Sequence, residues 1–349
     1  MTSEADRVHQ PPETNPLHGR IQQVMSTIYA KARKRSVRIV FPEGDEPKIL
    51  RAAQILAEEG ICTPILLGES ASIRPLIEEQ RLSKLNDVKI IQPASDPNFD
   101  RYVAQYWDLR KRRGTSMTEA RRLIGTRNYF AAMMVRNGSA EGMVTGLTTS
   151  YPEGIRAPLE IIRTKDEQRA GGVYIVVLKD DFKFFADCTV TIDPTAEELA
   201  EIAIRTADLA RHFDLTPRIA MLSYSNFGSA AGPSPTKVKR AAGLVQVRRP
   251  DLEVDGEIQV DTASVREVRM ENFPFCRLTD DANVLVFPNL DAANIAYKLL
   301  WRLGGAEVIG PVLLGMHRPV NVLQMGASVS DIVNLAAFTA LRAQGEFAF

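Results

Sequence analysis

Short, largely apolar runs recur along this chain with just enough sequence between them for a helix, and that rhythm narrows the fold more than any other feature. Val37–Phe41, Thr63–Leu67, Val88–Gln92 and Gly142–Thr145 are such runs. Their apolar content is that of strands covered on both faces, as in parallel sheets. Helical patterns fall between and after them, at Ile49–Glu59 (stopped by Gly60), Ile73–Arg81, Asp100–Lys111, Met117–Ile124 and Tyr129–Asn137. Alternation of this kind predicts a doubly wound α/β sheet.

The rhythm breaks at Thr148-Thr149-Ser150-Tyr151-Pro152 and a second series follows. It comprises a helix over 153–163, strands at Val173–Leu178 and Phe184–Val190, and a helix from Thr195 to His212 opened by a Thr195-x-x-Glu198 capping box. Strands Ile219–Ser223, Leu252–Ile258 and Val284–Phe287 then alternate with helices from Pro235, over Val260–Met270 and over Ala292–Leu303. Two α/β layers with a cleft between them, the second beginning near Ser150, are the economical architecture. A helical pattern over Leu17–Lys34 precedes the first strand, and residues 1–15, polar with a Pro-Pro pair, read as a linker or tail.

The last segment, Arg318–Asn334, has the form of a strand, a tight turn and a helix start. Val320 and Val322 supply the strand and Gly326 the turn. Ser328-Val329-Ser330-Asp331 then forms an S-x-x-D capping box before Ile332, Leu335, Ala336 and Thr339. In α/β proteins such a turn faces the ligand crevice, because the free N–H groups of the helix start point into it. Asp331 there is either a helix cap or a general base, and its place in the box favours the cap.

Bulk properties exclude several classes. The 349 residues carry 43 basic and 43 acidic side chains, so no global charge argues for nucleic acid or a membrane surface. No run approaches about 18 apolar residues and the N-terminus lacks a signal-like apolar segment, so a soluble, cytoplasmic protein is expected. Three scattered cysteines and four isolated histidines give no metal-ligand spacing, and reduced thiols are expected. Glycine-rich dinucleotide and P-loop motifs, H-E-x-x-H and G-x-S-x-G are absent.

Other stretches carry chemistry in two readings. Ser223-Tyr224-Ser225-Asn226-Phe227-Gly228-Ser229 follows a strand and is rich in hydroxyls and glycine, so it is either a phosphate nest or an ordinary polar loop. Arg110, in L-R-K-R-R-G, stands at a helix end, where cations complement the dipole. Arg156 sits on an otherwise apolar helix and either snorkels or lines the cleft. Lys298 and Arg302, beside Tyr297, share one helical face that by default is solvated.

Taken together, several ordered segments resemble the phosphotransacetylase family. They are F-P-E-G-D-E (41–46), L-R-K-R-R-G (109–114), I-R-A-P-L-E-I-I-R-T (155–164), F-F-A-D-C-T-V (184–190), P-N-L-D-A-A-N-I-A-Y-K-L (288–299) and G-P-V-L-L-G-M-H-R-P-V-N (310–321). The resemblance implies two α/β/α domains with mostly parallel sheets, the first (16–149) closed by the C-terminal segment (312–349) and the second spanning 150–311. It further implies coenzyme A or acetyl-coenzyme A in the interdomain cleft, a homodimer, and an aspartate, here Asp331, that deprotonates the thiol. Arg110, Arg156 and Asp331 are the residues that correspond to the family's own; the wider candidate ligand-binding set adds the loop residues Ser223, Ser225, Asn226, Gly228 and Ser229, the helix residues Tyr297, Lys298 and Arg302, and Asn321, Gln324 and Ser328. Where the family pattern D-L-S-R-G places a serine and an arginine, this chain has Gln324 and Met325. Methionine offers no charge for a transferring phosphate, and loss of such a donor lowers rates by about 10²–10³.

The V-L-Q-M-G-A-S-V form resembles most closely the phosphotransacetylase-like C-terminal domain of multidomain NADP-dependent malic enzymes. That resemblance implies a non-catalytic, acetyl-coenzyme A-binding regulatory and oligomerisation domain. NADP, a divalent metal and the oxidative decarboxylation of malate would then belong to an upstream catalytic domain. The alternatives are an active phosphate acetyltransferase and a purely structural dimerisation module.

Overall fold

The computed structural model describes residues 18–164, 170–179 and 181–345. The expected tail over 1–15 lies outside them. Among the described residues the strands form two sheets.

The first sheet is built by β1 (Arg38–Phe41), β2 (Thr63–Leu67), β3 (Lys89–Ile91), β4 (Gly142–Thr145) and β11 (Val320–Val322), in the order β11-β4-β1-β2-β3. Every pairing in it is parallel. The helices threaded through it are α1 (His18–Ala32), α2 (Pro47–Glu58), α3 (Ser70–Glu79), α4 (Phe99–Arg110), α5 (Met117–Ile124) and α6 (Arg127–Arg136). The C-terminal α13 (Val329–Ala343) packs on α1, α2 and β4. Gly142 permits that approach: a Cβ there would meet the Thr339 methyl at 2.5 Å and Ile39 at 2.9 Å. β11 therefore brings the far end of the sequence into the first sheet as its outer strand, beside β4, with its carboxyl end on the side where open parallel sheets hold their ligands.

The second sheet has the order β10-β5-β6-β9-β7-β8. Its strands are β5 (Gly171–Val177), β6 (Phe182–Ala186), β7 (Arg218–Leu222), β8 (Glu253–Ile258), β9 (Val284–Val286) and β10 (Glu307–Leu314). The β10, β5 and β6 side is antiparallel, and β6, β9, β7 and β8 are parallel. Helices α7 (Tyr151–Ile161), α8 (Ala196–Arg211), α9 (Pro233–Arg248), α10 (Val260–Ser264), α11 (Arg266–Asn272) and α12 (Leu290–Arg302) accompany it. α/β layers with mostly parallel sheets are thus the architecture, in agreement with the sequence reading.

Three local expectations change. Phe184–Val190 does not continue as strand past Ala186, because the buried Asp187 carboxylate accepts from the N–H groups of Gly172, Thr189, Val190 and Thr191 and turns the chain there. The single helix over Val260–Met270 is two, broken at Val265, whose backbone is extended. β10, which the sequence reading omitted, has a register shift against β5 between Ile309 and Val312, around Gly310-Pro311. Its last residues, Val312–Leu314, still pair with β5, so the expected handover at 311/312 falls within a strand.

The capping boxes at Thr195/Glu198 and Ser328/Asp331 are both formed. A third, Ser150/Glu153, opens α7 where the sequence rhythm breaks. Among the described residues no helix is long and apolar enough to cross a membrane.

Candidate active site

β11 delivers the turn that lines the main cavity. Leu323 N–H donates to the Thr145 carbonyl at 2.7 Å, and Gly326 N–H to the Leu147 carbonyl at 3.2 Å. Gly326 has φ +81°, a conformation open to glycine at little cost. Lys48 Nζ donates to the carbonyls of Gly326 and Ala327, at 3.3 and 3.0 Å. On the far side of the β4 turn, the half-buried Glu43 carboxylate accepts from Gly146 N–H (3.1 Å) and Thr148 N–H (3.2 Å). Its burial raises its pKa. The turns after β1, β4 and β11 are thereby fixed to one another.

Beyond the turn lies a cavity of about 550 Å³. Gln324, Met325, Ser328 and Asp331 form one wall; Tyr174 of β5 and Gly310 of β10 form another, and Trp301 and Arg302 at the end of α12 a third. Its size is within the usual range for small-molecule sites, roughly 300–1,000 Å³. The start of α13 opens on it, so the positive end of a 15-residue helix faces the space. Met325 is 71% exposed there. The Arg302 guanidinium lies 3.5 Å from the centroid of the Trp301 ring, which holds the cation at the rim.

Deeper in, Gln324 Nε2 donates to the phenol oxygens of Tyr174 (2.5 Å) and Tyr297 (3.1 Å). The two tyrosine rings stack with centroids 4.2 Å apart. Burial holds the Tyr174 phenol well above its ordinary pKa and raises that of Tyr297, so both are protonated donors at neutral pH.

Of the residues singled out from sequence, the cavity therefore gathers Arg302, Gln324, Met325, Ser328 and Asp331, with Tyr297 behind Gln324. The others lie elsewhere. Asn321 is fully buried; it accepts from Leu313 N–H at 2.8 Å and donates to Thr339 Oγ1 at 2.8 Å, stitching β10, β11 and α13 together. Lys298 is exposed on α12 beside the Tyr297 ring. Arg110 makes an ion pair with Glu160 at 3.5 Å, and Tyr106 and Tyr129 donate to the same carboxylate at 2.7 and 3.0 Å. Arg156 is exposed on α7, one turn before Glu160.

The Ser223–Ser229 loop does form a nest, and the protein's own Glu257 carboxylate occupies it. Gly228 N–H and Ser225 Oγ donate to Glu257 Oε1, at 2.5 and 3.3 Å. Asn226 N–H donates to Ser229 Oγ at 2.9 Å, and the Asn226 side chain exchanges hydrogen bonds with Gln259. Tyr174 escaped sequence reasoning because G-G-V-Y-I-V-V reads as core strand. The signal was a phenol in an otherwise apolar run, since a buried tyrosine hydroxyl needs a partner.

A family model described as Phosphate acetyl/butaryl transferase matches residues 23–340. A phosphate acetyltransferase of Nitratidesulfovibrio vulgaris is 42% identical over 317 residues, which cover 90% of this chain and 45% of that protein. One from Bacillus subtilis is 39% identical over 321 residues, covering 92% of this chain and 99% of its own length. Among solved structures, a phosphotransacetylase from Streptococcus pyogenes superposes with a TM-score of 0.89 at 39% identity, covering 93% of this chain and 99% of that one.

These matches overturn the expectation of a malic enzyme domain. An NADP-dependent malic enzyme of Escherichia coli is also 39% identical, but the chain spans only 43% of its length. At the same identity the B. subtilis phosphate acetyltransferase is spanned almost end to end. The reading as a non-catalytic regulatory domain falls with it, as does the oxidoreductase activity. The chain belongs to the phosphate acetyl/butaryl transferase family.

Proposed function

We propose that this protein is a phosphate acetyltransferase, moving an acetyl group between coenzyme A and inorganic phosphate. The observation that carries the reading is the cavity itself: a helix start, a carboxylate and a cation face one space at the ligand-binding edge of a parallel sheet. Relatives named phosphate acetyltransferase and matched over nearly their whole length support it.

In this reading the coenzyme A thiol approaches Asp331, whose carboxylate takes the proton. The thiolate attacks the carbonyl carbon of acetyl phosphate. A C–S bond forms, the C–O bond to phosphate breaks, and its electron pair leaves with the phosphate. Arg302 and the start of α13 supply positive potential for the phosphate oxygens. Met325 adds no charge, so turnover is expected to be slower by about 10²–10³ than in a site with an arginine at that place.

Acetyl-coenzyme A is the acyl ligand of this proposal, and a homodimer its assembly. The support for the dimer is an apolar stripe on α12, where Ile295, Leu299 and Leu303 recur every fourth residue at 57%, 51% and 80% exposure. A cytoplasmic location accords with such substrates and with three free thiols, Cys62, Cys188 and Cys276.

The test is acetyl-coenzyme A formation from acetyl phosphate and coenzyme A by the purified chain, with saturation in both substrates. Failure to form the thioester at millimolar substrate would sink the reading.

A further inference from the structure

The amide of Gln324 stands where the resemblance implies a serine, and its hydrogen bonds are unusual in what they leave over. One nitrogen serves two phenol oxygens, those of Tyr174 and Tyr297. Each phenol oxygen thus acts as an acceptor towards the amide, and each keeps its own proton to donate. One of these protons can bridge the stacked pair; the other remains available to a third group. Tyr174 is the member of the pair that lines the cavity. Its ring is otherwise buried and held against Tyr297, so its hydroxyl has a single fixed position.

We propose that Tyr174 is a catalytic residue of this protein: its hydroxyl, positioned by Gln324, donates a hydrogen bond to the acyl carbonyl oxygen as negative charge develops there. The inference rests on the transferase reading above and deepens it. When the thiolate adds to the carbonyl carbon, the carbonyl π pair moves onto oxygen. When the C–O bond to phosphate breaks, that pair returns. Tyr174 donates a hydrogen bond throughout and transfers no proton, so the balance of the reaction is unchanged. A neutral donor fixed at the edge of a low-dielectric pocket acts on the transition state more than on the ground state, because charge on the oxygen grows between them. Gln324 is a positioning residue in this scheme. Its amide nitrogen clamps the phenol.

The arrangement offers a neutral electrostatic device in a turn where Met325 supplies none. It also accounts for the amide at position 324. A serine at 324 would not reach both phenols with two N–H donors, and the phenols would be free to turn their hydroxyls to each other.

The test compares wild type, Tyr174→Phe, Gln324→Leu and the double variant. Tyr174→Phe keeps the ring and its stacking and removes only the hydroxyl. The expected result is a fall in kcat of at least tenfold, towards the roughly 10² typical of a lost oxyanion donor. KM for coenzyme A should stay within about twofold and the melting temperature within a few degrees. The double variant should fall little further than Tyr174→Phe, because Gln324 acts through the phenol. A loss below tenfold in Tyr174→Phe, with wild-type turnover intact, overturns the role of Tyr174 and leaves the transferase reading standing. If wild type forms no acetyl-coenzyme A, the transferase reading falls. Acetyl phosphate binding, measured by calorimetry, then decides the contact: affinity equal in wild type and Tyr174→Phe overturns it, and weaker affinity in the variant supports it.

Discussion

Ser328 and Asp331 grip each other across the first turn of α13. One carboxylate oxygen of Asp331 accepts both the Ser328 N–H, at 2.9 Å, and the Ser328 hydroxyl, at 2.8 Å, and Asp331 N–H donates back to Ser328 Oγ at 3.2 Å. The cap occupies one oxygen and leaves the second for the cavity. Asp331 thus serves as helix cap and, in the proposed reaction, as base; the two roles fall on different oxygens.

That division separates two variants. Asp331→Asn keeps an acceptor for the cap and removes the basic oxygen, so kcat should fall by about 10²–10⁴ while the melting temperature changes little. Ser328→Ala should instead cost about 1 kcal/mol of stability, measured by denaturant unfolding, with a smaller effect on rate. Equal losses of rate in both would show that the carboxylate acts only through the helix.

Met325 is open to substitution, because its side chain is mostly exposed and lines the cavity. Met325→Arg should leave stability within about 0.5 kcal/mol. It should raise acetyl-coenzyme A formation by more than tenfold, approaching the roughly 10²–10³ expected of a charged donor. Unchanged turnover in a folded variant would mean that position 325 does not face the phosphate.

Asn321 presents the opposite case. Asn321→Leu strands Leu313 N–H and disrupts the pairing with Thr339, both buried, and should destabilise the protein by about 1–3 kcal/mol for each group left unsatisfied. Affinity for acetyl-coenzyme A, measured below the variant's melting temperature, should stay near that of wild type. A selective loss of affinity with unaltered stability would restore Asn321 as a ligand residue.

Acid stability should carry the mark of His212. Burial, and then the nearby Lys31 ammonium, push its imidazole down from the ordinary 6.5 to about 4, with Asp214 opposing. Below pH 6.5 the unfolded chain binds a proton that the folded chain does not, so folding stability present at neutral pH is lost as pH falls from about 6.5 to 4. The ring is partly exposed, which limits the effect to no more than about 2 kcal/mol. His212→Gln should flatten that part of the stability–pH curve in urea titrations at pH 7, 5.5 and 4.5.

What could be read from sequence was what local chemistry determines. The Ser328/Asp331 and Thr195/Glu198 boxes need only four consecutive residues each, and both are present. Runs such as Val37–Phe41 announced the first sheet because burial on both faces requires them to be apolar. The parts that were missed or left open depend on partners distant in sequence. Asn321 looked like a ligand residue because its partners, Leu313 and Thr339, lie on two other elements. The glycine and hydroxyls of 223–229 left a phosphate nest open, and only the pairing of β7 with β8 brings Glu257 into it. β10 was obscured by Gly310-Pro311 in its middle, where pairing shifts register instead of ending. Tyr174 gained its meaning only from Gln324, in the turn after β11 of the other sheet.

The place of β11 sets an order on biosynthesis. β4 ends at Thr145 and pairs on one side with β1; its other edge is filled by residues 320–322. At roughly 5–20 residues per second, a ribosome needs on the order of tens of seconds between making the two strands. Until then β4 is a bare edge, with the unpaired N–H and C=O groups that invite pairing with another chain. The helix that covers β4 arrives later still, since α13 follows β11. The wall that carries the chemistry is therefore the last part of the first sheet to exist, and a chain stopped short of residue 320 is left with a cleft missing one side and an adhesive edge in its place.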